Sequence, residues 1–130
     1  MPARRDIRPQ NIKNLIPQVL LVDVLSGGAD FRYRLLGTKL RPYFPKEVTG
    51  QTMSAALAPF GAQMVAATLA VYRTVAAERI PLRITGPGEA FAQRSKFFEA
   101  ILMPLGDTDE ITSMILGAFE FDWIRTAPGI

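Results

Sequence analysis

The sequence predicts an α+β fold in which an antiparallel sheet carries its helices on one face. Three observations lead there. Apolar stretches of strand length fall into two groups, two before a helical block and three after it. Within that block, about residues 60–78 carry apolar side chains at three- and four-residue spacing, the mark of a long helix. Strands gathered around helices, rather than alternating with them, argue for antiparallel pairing. The 130 residues fit one compact domain, and no Pro/Gly/Ser linker, repeat or low-complexity tract divides them.

The elements follow in order. Asp6 to Ile16 reads as a short helix: Pro9 sits in the early turn that tolerates it, and Ile12, Leu15 and Ile16 form one apolar stripe. Pro17 ends it. Gln18 to Leu25 is a strand apolar on both sides, with Val19 and Leu21 on one and Leu20, Val22 and Val24 on the other. Ser26-Gly27-Gly28-Ala29-Asp30 makes a hairpin-type turn, and Phe31 to Leu36 is the antiparallel partner strand. There Arg32 and Arg34 alternate with Phe31, Tyr33 and Leu35, as solvent-facing positions do.

From Gly37 to Phe60 the pattern breaks into short pieces: Thr38 to Phe44, a Pro45-Lys46-Glu47 turn, then Thr52 to Leu57. Gly50 suggests a turn into a short helix capped by Thr52 or Ser54. The long helix, Phe60 to Glu78, carries Phe60, Met64, Ala67, Val71 and Val75 on one stripe. Val65, Leu69, Tyr72 and Ala76 widen it, which predicts burial around much of the circumference. Three strands close the chain: Ile80 to Thr85 before the turn Gly86-Pro87-Gly88, Arg94 to Pro104, and Ile111 to about Trp123 after a turn at 105–109. The domain therefore spans 1–130, with a core at about 18–124 and an N-terminal helical segment at about 6–16.

Two absences remove much chemistry. The chain has no cysteine and no histidine. Disulfides, thiolate nucleophiles, Ser-His-Asp or Cys-His catalysis, Cys/His zinc sites and the common haem attachments are all excluded. Net charge is +3, unevenly spread: residues 1–46 carry nine Lys/Arg against three Asp/Glu, or +6, and residues 47–130 six against nine, or −3. Arg4, Arg5, Arg8 and Arg32 are where nucleic acid would bind, but a solvated face and a terminal segment account for them, so no nucleic-acid partner is expected. No secretory signal or ~20-residue apolar run is present, so membrane insertion is not expected and a cytoplasmic location is.

Particular residues then carry a resemblance. Phe31-Arg32-Tyr33-Arg34-Leu35-Leu36-Gly37-Thr38 followed by Glu47-Val48-Thr49-Gly50-Gln51-Thr52 resembles the stretch of PAS domains where a strand enters the helical block around one glycine and a second precedes the next short helix. Two strands, helices and three strands is likewise the PAS order, and the likeness covers roughly residues 6–124. With its Met-Pro-Leu-Gly-Asp turn between the last strands, the chain is similar to short stand-alone PAS-like proteins common in alphaproteobacteria. The resemblance implies a five-stranded antiparallel sheet with helices on one face, and a non-enzymatic sensory or interaction module that signals through a separate protein.

It also implies a ligand site between the inner sheet face and the helices, to which Phe31, Tyr33 and Leu35, with Met64, Thr68 and Tyr72 and with Glu99 from the fourth strand, would contribute. Without a void there, the same side chains are plain core. Thiol-dependent flavin adducts and thiol-linked chromophores of PAS relatives are impossible without cysteine, and haem is disfavoured without histidine. Flavin without a thiol, a small organic acid and a lipid-like molecule stay open, so the cofactor is unknown.

Glu99 interrupts the apolar run Phe97 to Met103. Apolar surroundings would raise its pKa and suit it to a small α+β enzyme of cone-like fold, the alternative function. Such folds usually put their long helices first, and a carboxylate among apolar residues more often pairs with an arginine, here Arg34, Arg83 or Arg94. No catalytic residue is therefore assigned. Asp107, Asp109 and Glu110 lack the EF-hand spacing and read as a hairpin turn, so no metal site is expected. Because the first and last strands are apolar on both sides, the outer sheet face needs cover from the N-terminal helix, a partner, or both. A homodimer using Ile12, Leu15 and Ile16 is expected.

Overall fold

The computed structural model describes residues 1–8, 10, 13–44, 46–87 and 97–121. Five strands form one sheet: β1 (Val19–Leu25), β2 (Asp30–Leu36), β3 (Leu82–Pro87), β4 (Phe97–Leu105) and β5 (Met114–Phe121). Their order across the sheet is β2-β1-β5-β4-β3, and each neighbouring pair is antiparallel. The last strand thus sits at the centre with β1 beside it. Two helices, α1 (Met53–Leu57) and α2 (Ala62–Glu78), pack into the core on one face of this sheet.

Local chemistry sets the helix starts. The Thr52 hydroxyl accepts from the Ala55 N–H at 3.3 Å and caps α1. Ser54 does something else: its N–H and hydroxyl both donate to Asp30, whose carboxylate also accepts from the Phe31 N–H at 2.8 Å. Partial burial pushes the Asp30 carboxyl up, but the Ser54 and backbone donors, with the Arg73 guanidinium nearby, outweigh it and hold the pKa below its ordinary value. Arg73 itself donates to the carbonyls of Gly28 and Ala29 at 2.7 and 2.8 Å, so α2, the β1–β2 turn and the start of α1 are tied together.

The structure corrects two expectations of the fold. The long helix is buried along one stripe only, through Leu69, Tyr72 and Val75, while Ala62, Ala66, Ala70 and Ala77 are exposed. Those alanines serve helix formation rather than the core. Gly86 and Pro87 belong to β3, not to a turn; β3 is an edge strand, where a proline without an N–H is tolerated. Within the expected N-terminal helix Gln10 is helical and positions 9, 11 and 12 lie outside the described residues, while the two ends are 3₁₀ turns at Arg4–Asp6 and Ile16–Gln18, with a turn at 13–15.

Two glycines fix the path between β2 and α1. Gly37 passes so close to the preceding segment that a Cβ would lie 2.4 Å from the Pro17 carbonyl oxygen, and its N–H donates to Val19 at 2.8 Å. Gly50 adopts φ +90°, which L side chains avoid, and its N–H donates to the Tyr33 carbonyl at 2.7 Å.

The core lies between the helices and the inner sheet face, where Phe31, Val22, Leu102 and Ile115 are wholly buried. A smaller cluster lies on the outer face, where Leu21, Leu105 and Met114 are buried with Ile7 of the N-terminal segment packed against them. The Gly106 N–H donates to the Pro2 carbonyl at 2.8 Å and holds that segment in place. Among the described residues, no helix is long and apolar enough to cross a membrane.

Candidate functional site

A cavity of about 210 Å³ lies between the inner sheet face and the helices, open on one side. All five strands supply its floor: Leu20 from β1, Tyr33 from β2, Ile84 from β3, Phe98 from β4, and Phe119 and Phe121 from β5. Alternation along each strand brings these residues to one side. The wall is α2, which presents Met64, Ala67, Thr68, Val71 and Tyr72 at helical spacing, continued by Leu57 and Phe60. Leu40, Tyr43 and Phe44, from the loop after β2, close the remaining side.

Aromatic rings order this lining. Tyr43 stacks on Phe121 with centroids 4.2 Å apart and planes 15° from parallel. Tyr33 meets Phe44 edge-on at 5.7 Å, and Phe31 tilts against Tyr72 at 5.6 Å. Such offset and edge-to-face pairs hold ring positions firmly. Beyond Phe44, a shallow depression is bordered by Leu36, Arg41, Lys46 and Glu47.

The polar atoms are few. Neither the Tyr33 nor the Tyr72 hydroxyl has a hydrogen-bond partner among the described residues, although both side chains are almost wholly buried. No fully enclosed side-chain oxygen or nitrogen is left unpaired there, so the two hydroxyls open onto the cavity. Burial pushes both phenols up, the Asp30 carboxylate adding to the effect at Tyr33 and Tyr33 adding to it at Tyr72. Both are therefore protonated donors at neutral pH. The Thr68 hydroxyl turns to the Met64 sulfur at 3.5 Å, a weak acceptor.

Of the residues singled out in the sequence, Tyr33, Met64, Thr68 and Tyr72 line the cavity. Phe31 does not; it lies behind Tyr72 as core. Leu35 is on the opposite face, 39% exposed. The reason is a β-bulge. Leu21 pairs with Leu35 but Val22 pairs with Tyr33, so Arg34 is an extra residue and the in–out alternation inverts across it. Glu99 is also on the outer face, paired with the Arg83 guanidinium, one of the three arginines the sequence offered.

The interface candidates are spread. Leu15 is 49% exposed, Ile16 is half-buried and Ile12 lies outside the described residues. Of the basic residues, Arg5 pairs with Asp107 at 3.4 Å, Arg34 with Asp23 at 3.2 Å, and the Arg4 guanidinium donates to the Ile7 carbonyl. Sequence reasoning missed Leu40, Tyr43, Phe44 and Phe121 as lining. The one available signal was the aromatic pair Tyr43-Phe44 between Pro42 and Pro45, where apolar rings in a turn need burial.

Comparison with known proteins decides the family. The family model described as PAS domain matches residues 1–120. This chain belongs to the PAS domain family. Among solved structures it is similar to the PAS domain from Bordetella pertussis BvgS, with TM-score 0.65 and 21% identity over 90% of this chain and 88% of that one. A second similar structure, the RsLOV d2 variant, has TM-score 0.49 and 13% identity over 86% of this chain and 65% of that one. No curated protein matches the sequence. The PAS fold is typically sensory or signalling, and the cavity occupies the space between its sheet and its helices.

Proposed function

We propose that this PAS domain is a non-enzymatic, cytoplasmic sensor that binds a small molecule in the cavity and passes occupancy to a partner, first of all a second copy of itself, through the outer sheet face. One observation carries the reading: a ring-lined void of about 210 Å³ reaches solvent from the centre of the fold. Cores normally pack without voids of this size, and that contrast supports a bound occupant. The outer face supports the second half. Leu35, Leu21, Leu116 and Met103 form one cross-strand row, and Val19, Ala118 and Ile101 the next, yet the N-terminal segment covers only part of them. Ile101 is left 48% exposed.

A ligand signals only if it favours one packing arrangement over another. The loop carrying Tyr43 and Phe44, which stacks on β5 and β2, is where occupancy would meet the sheet. The enzyme alternative gains nothing from the geometry, since Glu99 is held by Arg83 on the face away from the cavity.

Native mass spectrometry of the purified chain tests both halves. The expected result is a dimer mass with a retained small molecule, and loss of that molecule in Ala67→Trp, which fills the cavity wall. A monomer at micromolar concentration would remove the dimer; retention of the molecule by Ala67→Trp would remove the cavity as its site.

A further inference from the structure

We infer that the cavity selects an uncharged, ring-sized molecule bearing one hydrogen-bond acceptor, held by the Tyr33 and Tyr72 hydroxyls. The inference rests on the reading of the cavity as a ligand site and narrows what that site takes.

Size comes first. An apolar cavity of about 150 Å³ accepts a single benzene ring. At about 210 Å³, this one has room for a ring and a short substituent. Pockets for drug- and cofactor-sized molecules run from roughly 300 to 1,000 Å³. A flavin or a haem exceeds the space.

Charge comes second. Among the described residues, no lysine, arginine, aspartate or glutamate lines the cavity. A carboxylate or phosphate placed there would give up its water without meeting a cation, which strongly opposes binding. Arg41 and Lys46 border only the shallow depression beyond Phe44. The organic acids that composition left open are thus disfavoured.

Hydrogen bonding comes third. Two phenol hydroxyls without partners among the described residues face the same apolar space. A buried donor left unpaired is costly, and a site built of such donors discriminates against ligands that cannot satisfy them. A carbonyl oxygen has two lone pairs, so one acceptor serves both hydroxyls. Around it, Phe44, Phe98, Phe119 and the Met64 thioether offer ring edges, faces and a polarizable sulfur to an aromatic or alicyclic body.

Calorimetric titration with acetophenone, ethylbenzene and benzoate, three molecules of similar shape, tests the inference. Acetophenone is expected to bind about fivefold to tenfold more tightly than ethylbenzene, the net worth of one hydrogen bond. Benzoate is expected to give no binding. Tyr33→Phe and Tyr72→Phe should each erode the preference for acetophenone while leaving ethylbenzene affinity in place, which also shows that the variants are folded. Equal affinity for acetophenone and ethylbenzene, or benzoate binding that Ala67→Trp abolishes, overturns the ligand class and leaves the cavity a binding site. Failure of all three to bind the wild-type chain overturns the site together with the inference.

Discussion

The two faces of one sheet divide the work of this PAS domain. The inner face is aromatic and wholly buried at Phe31, Val22, Leu102 and Ile115, and among the described residues no ion pair lies on it. The outer face mixes apolar rows with the ion pairs Asp23–Arg34 and Arg83–Glu99, and leaves Ile101 and Leu35 in solvent. Stability therefore depends mainly on the inner face, where each lost contact leaves a hole. The outer face can change with little loss. The difference teaches that an apolar residue on this sheet says little until its side is known.

The largest effect that tests this contrast is Phe31→Ala. Removing a wholly buried ring between the sheet and Tyr72 is expected to lower unfolding stability by about 3–5 kcal/mol, read from the shift of the urea or guanidinium midpoint. A loss below about 1 kcal/mol would mean that the inner face tolerates holes as well as the outer one does.

An intermediate effect comes from alkaline pH. Burial raises the pKa of Tyr33 and Tyr72 in the folded state, so the stability that their neutral forms contribute is present below about pH 10 and lost as pH rises beyond it. In a Tyr43→Phe background the phenolate absorbance reports these two rings alone. It should appear together with loss of secondary structure by circular dichroism. Ionisation near pH 10 with the fold intact would show the hydroxyls to be in contact with bulk water.

Glu99→Gln gives the smallest effect. Its Arg83 partner is 67% exposed, and such surface pairs are worth about 0–1 kcal/mol. The denaturation midpoint and the binding of acetophenone should both stay within error of wild type. A clear loss of binding would restore Glu99 as a site residue and with it the acid–base alternative.

How much of this was legible in the sequence follows from the same contrast. Period-two alternation and glycine-rich turns located all five strands, and three- to four-residue spacing located α2, because these signals are local. The same spacing brought Met64, Thr68 and Tyr72 to one wall. Leu35 was misplaced because a bulge leaves no mark in the sequence: the Arg34 insertion is visible only once Leu21 and Val22 choose their partners. Glu99 was grouped with the residues of its own face, but periodicity does not say which face meets the helices. Leu40, Tyr43 and Phe44 were illegible as lining because a loop side chain takes its direction from the tertiary fold.

The stub of chain before α1 has a consequence of its own. On the side of β2 that faces away from β1, the Tyr33 N–H donates to the Gln51 carbonyl at 3.0 Å, its carbonyl accepts from Gly50, and Arg32 bridges to Thr52. Three residues thus stopper the border of the sheet where another chain's strand could otherwise add. At the opposite border, β3 ends in Pro87, which has no N–H to offer an incoming strand. At these positions, ladder growth of the kind that seeds aggregates finds poor footing.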